Sequence, residues 1–230
     1  MSVMSKAVKV FSVLPVTKRF RGKLYRLILG KRGHIGKNFQ IGFGSYIESK
    51  HIDVGENVVI GNLVRVKLLD FFKLGDATSI GSSTIICGTY EEKKNQDRIF
   101  SAGNNCEILS SHYFDCVAPI QIGNKVTIGG KWTQFYTHSF DLKKNRLDGD
   151  IKIGNNIYIG AGCIINLGVS ICDGVVLKSG TCISKSIEKE GVYSNSSEVT
   201  SGNVHNYSKL YGEQNRALLN DGSVVYTSNI

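Results

Sequence analysis

Residues Ile153–Ile187 read IGNNIYIGAGCIINLGVSICDGVVLKSGTCISKSI. An aliphatic residue returns at every sixth place, at Ile153, Ile159, Ile165, Ile171, Leu177 and Ile183. The next position holds Gly154, Gly160, Asn166, Cys172, Lys178 and Ser184. The fifth slot holds Ile157, Cys163, Val169, Val175, Thr181 and Ile187. A helix repeats every ~3.6 residues and a lone strand about every two, so neither gives a period of six. A fixed period of this kind marks a stacked solenoid. Each unit is a short strand followed by a corner, where a small residue lets the backbone bend.

The same period runs upstream. Ile35, Ile41 and Ile47 form one triplet, Val54, Ile60 and Val66 a second, and Leu74, Ile80 and Ile86 a third. In each, the first two aliphatics precede glycine and the third precedes Glu48, Lys67 or Cys87. This predicts three sides and about 18 residues per coil, with a distinct third corner. Ile122 and Ile128 open a further coil.

These motifs resemble the hexapeptide-repeat acyltransferases over roughly residues 35–190. The resemblance implies an all-β solenoid, a left-handed parallel β-helix of triangular section. The hand rests on the resemblance alone, since crossovers are otherwise right-handed. The segments SSHYFD (Ser110–Asp115) and GGKWTQFYTH (Gly129–His138) look like the branch that O-acylates sugars.

Composition sets the outer limits. The chain has 230 residues, 41% hydrophobic, with 26 glycines and two prolines, which suits one corner-rich β domain with accessory segments. The net charge of +9 is concentrated at the start. Lys6, Lys9, Lys18, Arg19, Arg21, Lys23, Arg26, Lys31 and Arg32 fall within residues 1–34, which contain no acid. Beyond them the charges balance. No apolar run reaches the ~20 residues of a membrane span, and charges interrupt any signal-peptide pattern. Six cysteines without paired CxxC motifs read as reduced thiols of a cytosolic protein.

Residues 1–34 are expected to form two short helices split by Pro15, with Val10, Leu14, Leu24, Leu27 and Ile28 against the solenoid and charges outward. They would cap its open end. The outward charges suit peripheral contact with an anionic membrane at its inner face. Nucleic acid is disfavoured, because no aromatic platforms interleave with the charges. Residues 35–190 form the catalytic domain and 191–230 a tail. GVYSNSSEVTSGNVHN (Gly191–Asn206) departs from the ending seen in the resembling family.

The period fails twice within the repeat, and a rigid scaffold carries its function where it is interrupted. Between Ile122 and Ile153 about 13 residues are extra, assigned to a loop near residues 139–151. Tyr90–Arg98 is too polar for interior slots and is assigned to a loop near residues 89–103, with a degenerate coil resuming at Asn104.

His138 stands just before the longer interruption. The resemblance makes a corner histidine in a Thr-His pair the catalytic base, and His138 matches it. The chemistry agrees: acyl transfer to a hydroxyl needs a base that is neutral near pH 7, which is imidazole. Its second nitrogen needs an orienting partner: Asp141, Asp115 or a backbone carbonyl. His112, Trp132 and Tyr136 are expected to meet the acceptor, with Trp132 in a fifth slot too narrow for it.

By the same resemblance, acetyl-coenzyme A lies along the last coils of a homotrimer, between subunits, touching Ala161, Ser179, Ser184 and Lys185, with Lys178 also near its phosphates. No metal is expected, since no histidine pair has zinc-ligand spacing. The leading expectation is an acetyl-CoA-dependent O-acetyltransferase of a bacterial surface polysaccharide. The alternatives are an N-acetyltransferase of a nucleotide-linked amino sugar, a zinc hydratase and a non-catalytic β-helix scaffold.

Overall fold

The computed structural model describes residues 3–29, 33–89, 97–143, 145–195, 197–201, 216–218 and 224–226. The repeat builds a left-handed parallel β-helix. On the first side Ile35, Val54, Leu74, Ala102, Ile122, Ile153 and Ile171 are in register. On the second, Ile41, Ile60, Ile80, Ile108, Ile128, Ile159 and Leu177 are in register. The third aligns Ile47, Val66, Ile86, Phe114, Phe135, Ile165 and Ile183. All of these are buried except Ile183 in the last coil, which is half-buried. Each interior aliphatic stacks on its counterparts above and below, which is why the period tolerates so few polar substitutions.

A strict period of eighteen would pair Ile35 with Asp53; the register joins it to Val54 instead. The extra residues collect at the third corner, where continuous strands Tyr46–Val54 and Arg65–Leu74 span two sides. Both sequence interruptions also leave from this corner. Residues 90–96 of the first lie outside the described residues, and Ile99–Ala102 is already a strand of the first side, so the coil resumes before Asn104. The second is an antiparallel hairpin of His138–Phe140 with Arg146–Asp148, not an irregular loop. At the other end Gly191–Ser194 pairs in parallel with Val175–Leu177, so the solenoid runs past residue 190 into the expected tail. Residues 196, 202–215, 219–223 and 227–230 of that tail lie outside the described residues.

The corner after the first side is tied by a ladder of side chains. Asp173 Oδ1 accepts the Asn155 N–H at 2.7 Å, Asn155 Oδ1 that of Asn124 at 2.8 Å, and Asn124 Oδ1 that of Asn104 at 2.8 Å. Asn104 and Asp76 continue it at 2.7 Å each. Each bond satisfies a corner N–H that the sheet cannot reach.

Two helices cap the first coil, α1 (Val3–Ser12) and α2 (Lys18–Leu29). Their orientation differs from the expected apolar-inward arrangement. Tyr25 and Val8 are buried, but Leu27 is 80% exposed and Val10 also faces outward. Gly22 sets this rotation: a Cβ there would stand 2.0 Å from the Phe39 carbonyl oxygen, so only glycine lets α2 lie so close to the coil. The buried wedge beside it is Arg21. Its guanidinium donates to the carbonyls of Ile41 (2.9 Å), Leu14 (2.8 Å) and Val16 (2.9 Å), so one cation closes otherwise open backbone groups. Among the described residues no helix is long and apolar enough to cross a membrane.

Candidate active site

The third side of the solenoid bears the outward-facing groups with chemical potential. Register aligns Cys87, Asp115 and Tyr136 in one row and Ile85, Tyr113, Gln134 and Ile164 in the next. The chain then turns the third corner through Thr137 to His138. The Ala118 N–H donates to Thr137 Oγ1 at 3.0 Å, and that hydroxyl donates to the Asp115 carbonyl at 2.7 Å. Thr137 is fully buried. It therefore locks two successive coils together at the point where the hairpin departs.

This lock brings His138 Nδ1 to 2.5 Å from Asp115 Oδ2. The carboxylate is almost enclosed, with 6% of its side chain exposed, against 30% for the imidazole. Burial raises the Asp115 pKa, and the bond to His138 with backbone N–H groups of Thr137 and Val117 partly offsets that. A carboxylate can only accept here, so Nδ1 carries the proton and the lone pair of the neutral ring sits on Nε2. Phe140 packs edge-on to the imidazole with centroids 5.7 Å apart, limiting its rotation. The arrangement is an imidazole held by a carboxylate on one nitrogen, the geometry that general-base chemistry requires.

The sequence left three candidates for that partner. Asp141 is occupied elsewhere: its Oδ1 accepts the Lys143 and Asn145 N–H groups, both at 2.8 Å, and its Oδ2 the Asn145 amide at 2.9 Å. It shapes the hairpin tip and is not brought to His138.

Two acceptor expectations need correction. His112 is 2% exposed and cannot meet a substrate. It lies four residues after Ile108, which is a fifth slot, and fifth slots point inward; Thr84 and Thr133 occupy the same slot in neighbouring coils. The Thr133 N–H donates to His112 Nδ1 at 3.2 Å, so the proton is on Nε2, which has no bond in good geometry. Burial lowers its pKa from 6.5 to about 4, against smaller opposing effects of the Ile128 and Thr133 backbones. A depressed folded pKa gives stability that is complete above pH ~6.5 and lost as the pH falls towards 4, about 3 kcal/mol in all. Wild-type protein should therefore lose thermal stability over that window. His112→Thr should lack this acid-sensitive part, measured as Tm against pH.

Trp132 does not fill a fifth slot. One extra residue separates Ile128 from Phe135, so Thr133 takes the interior place and Trp132 is extruded, 68% exposed. Thr133 Oγ1 donates to the Gly160 carbonyl at 2.9 Å, holding the shifted register. Trp132 sits at φ 69°, a left-handed conformation costing a bulky residue roughly 1 kcal/mol. Leu63, Ser83 and Ser111, each just before the fifth slot of an earlier coil, share it at φ 58°, 62° and 65°, so the conformation belongs to this corner of the repeat. Tyr136 is half-buried on the same side, its hydroxyl 2.5 Å from Gln134 Oε1, and its ring lies 5.9 Å from that of Tyr113. One short strand, Gln134–Tyr136, separates Trp132 from the corner of His138. The sequence signal for this slip was available in the doublet Gly129–Gly130: Gly130 has φ 62°, and a Cβ on it would meet Ala161 Cβ at 2.4 Å.

The residues expected at the acyl donor divide between two corners. Ala161, Lys178 and Ser179 lie at the corner that also bears Trp132, and the Ala161 N–H donates to Ser179 Oγ at 3.2 Å. Ser184 and Lys185 follow Ile183, in the column of Asp115 and Tyr136. They thus border one side of the prism from both edges, beyond the coil of His138. Lys178, Ser179, Ser184 and Lys185 are exposed. Among the described residues no cluster of three His, Cys, Asp or Glu side chains could hold a metal.

Fold and site together define a hexapeptide-repeat β-helix with a histidine–carboxylate pair at its third corner. No protein-family model and no curated protein matches the chain. Solved structures do. A hexapeptide-repeat-containing acetyltransferase from Vibrio cholerae O1 biovar eltor, complexed with acetyl coenzyme A, is 18% identical over 86% of this chain and 85% of that one, with a TM-score of 0.46. An N-acyltransferase from Bacillus cereus, in complex with dTDP and coenzyme A, is 19% identical over 78% and 87%, with a TM-score of 0.43. A maltose O-acetyltransferase from Clostridium difficile 630 is 17% identical over 86% and 85%, with a TM-score of 0.38.

Proposed function

We propose that the protein is an acetyl-CoA-dependent O-acetyltransferase acting on a sugar hydroxyl of a bacterial surface polysaccharide, such as an O-antigen or capsule, or of its precursor. The observation that carries this reading is the Asp115–His138 pair, its carboxylate buried and its imidazole partly exposed. In the ternary complex His138 Nε2 takes the hydroxyl proton as the oxygen attacks the thioester carbonyl. A backbone N–H at a neighbouring corner holds the oxyanion. When the tetrahedral intermediate collapses, the C–S bond breaks and the imidazolium returns its proton to the departing coenzyme A thiolate. Asp115 stabilises the imidazolium between these steps. No covalent enzyme intermediate and no metal is required.

Trp132 and Tyr136 give the acceptor two aromatic faces of the kind that sugar rings stack on. Lys178 and Lys185 suit the phosphates of the donor, and Ala161, Ser179 and Ser184 supply small corners along which it can lie. The reading includes a homotrimer with donor and acceptor held between subunits, working in the cytoplasm with peripheral contact to the inner face of an anionic membrane. Mass spectrometry of surface glycan from cells with and without the gene tests the reaction. The expected gain is one acetyl per repeat unit, removed by mild alkali as an ester is. An alkali-stable acetyl would indicate amide formation instead, and no change would overturn the acceptor class.

A further inference from the structure

The solvent face of α2 carries two stripes. Arg19, Lys23 and Arg26 are spaced at four and three residues and lie side by side on the helix. Beside them, seven residues apart, are Phe20 and Leu27, 51% and 80% exposed. The cationic stripe forms one wall of a cleft of about 570 Å³ against the first coil, whose other wall is Gly36–Gln40 with Lys37 and Asn38. No acidic residue lines it. Arg19, Lys23, Arg26 and Lys37 are exposed, and among the described residues none of the four is paired with a carboxylate. By contrast Lys9, Lys50 and Lys73 all have carboxylate partners.

We infer that this face docks on an anionic phospholipid bilayer: the cleft takes lipid phosphate between α2 and Lys37, while Phe20 and Leu27 enter the headgroup boundary. The inference deepens the peripheral placement in the proposed function and rests on it. Two independent features favour lipid over a soluble polyanion. A polyanion would need the cations but has no use for two exposed hydrophobic side chains on the same face. A bilayer uses both, since interfacial helices combine cations with buried apolar groups. The geometry also explains why α2 is rotated as it is. Gly22 and Arg21 hold the helix with its apolar pair outward, at the cost of leaving Leu27 in water. The opening of the solenoid would then face the membrane, and the third-corner site would lie several coils away along the axis.

The test is co-sedimentation of the full-length protein with phosphatidylcholine vesicles, with and without phosphatidylglycerol. Binding is expected only with phosphatidylglycerol and should weaken as salt is raised. The triple variant Arg19→Gln, Lys23→Gln, Arg26→Gln should lower the partition coefficient by roughly a hundredfold, following ~1 kcal/mol for each basic residue near an anionic surface. The double variant Phe20→Ser, Leu27→Ser should bind more weakly while keeping the wild-type salt dependence. Equal binding to neutral and anionic vesicles overturns the inference. So does an unchanged partition of the double variant accompanied by a smaller assembly in light scattering, which would make this face a contact between copies. Acetyl transfer to a soluble acceptor, followed in the same samples, separates the two readings. Binding without transfer removes the enzymatic reading and leaves the surface standing; transfer without binding does the reverse.

Discussion

His138→Ala is expected to cut acetyl transfer by roughly 10²–10⁴-fold, the usual contribution of a positioned base. Coenzyme A binding and assembly should be unchanged, because His138 lies outside the interior columns and on an earlier coil than the donor residues. The residual rate would come from proximity and the oxyanion donor. Steady-state kinetics with acetyl-CoA and a sugar acceptor measure the loss. Retained turnover would place the base elsewhere.

The second large effect belongs to Asp115, and its sign depends on what the carboxylate does. Asparagine at this position would present an amide N–H to His138 Nδ1, forcing the ring proton onto Nε2 and blocking the lone pair needed for attack. Asp115→Asn should therefore lose activity by about 10²–10⁴-fold, and more than Asp115→Ala, which leaves the ring free to adopt either tautomer. Asp141→Asn should act only weakly, because that carboxylate serves the hairpin tip. Stability should move the opposite way. Burial raises the folded pKa of Asp115, so its ionisation opposes folding once the pH exceeds that value. Asp115→Asn removes the charge and should melt higher than wild type at neutral pH. Kinetics and calorimetry on one preparation would show activity and stability exchanged at a single residue. Equal activity of the Asn and Ala variants would mean that the charge of Asp115, rather than its control of the tautomer, matters.

The trimer expected in the proposed function predicts a further result. Light scattering of the purified protein should give a mass near three chains. A stable monomer would remove the idea of a donor shared between subunits, and would leave the single-chain Asp115–His138 pair to work alone.

Much of this protein is written in its periodicity. The aliphatic at every sixth place determines a three-sided prism, because each short strand must bury one side chain and turn. The fifth slot determines which residues point inward, and the burial of His112, four places after Ile108, follows that rule against the acceptor contact expected of it. The basic, acid-free opening of the chain is equally plain. What period alone cannot carry is registration between coils, since each insertion shifts everything after it. The extra residue before Phe135 decides that Thr133, not Trp132, enters the prism, and the Thr133–Gly160 bond holds that choice. Asp115 and Asp141 are alike in sequence; stacking of one coil on the next, locked through Thr137, places one of them against His138 and leaves the other on the hairpin. The rotation of α2 was likewise decided by contact. Helical spacing shows an amphipathic segment, but only the approach of Gly22 to the Phe39 carbonyl turns Tyr25 inward and leaves Phe20 and Leu27 facing out. Local pattern sets which way each residue points within its own unit, whereas partners across coils depend on accumulated length and close packing, which exist only in three dimensions.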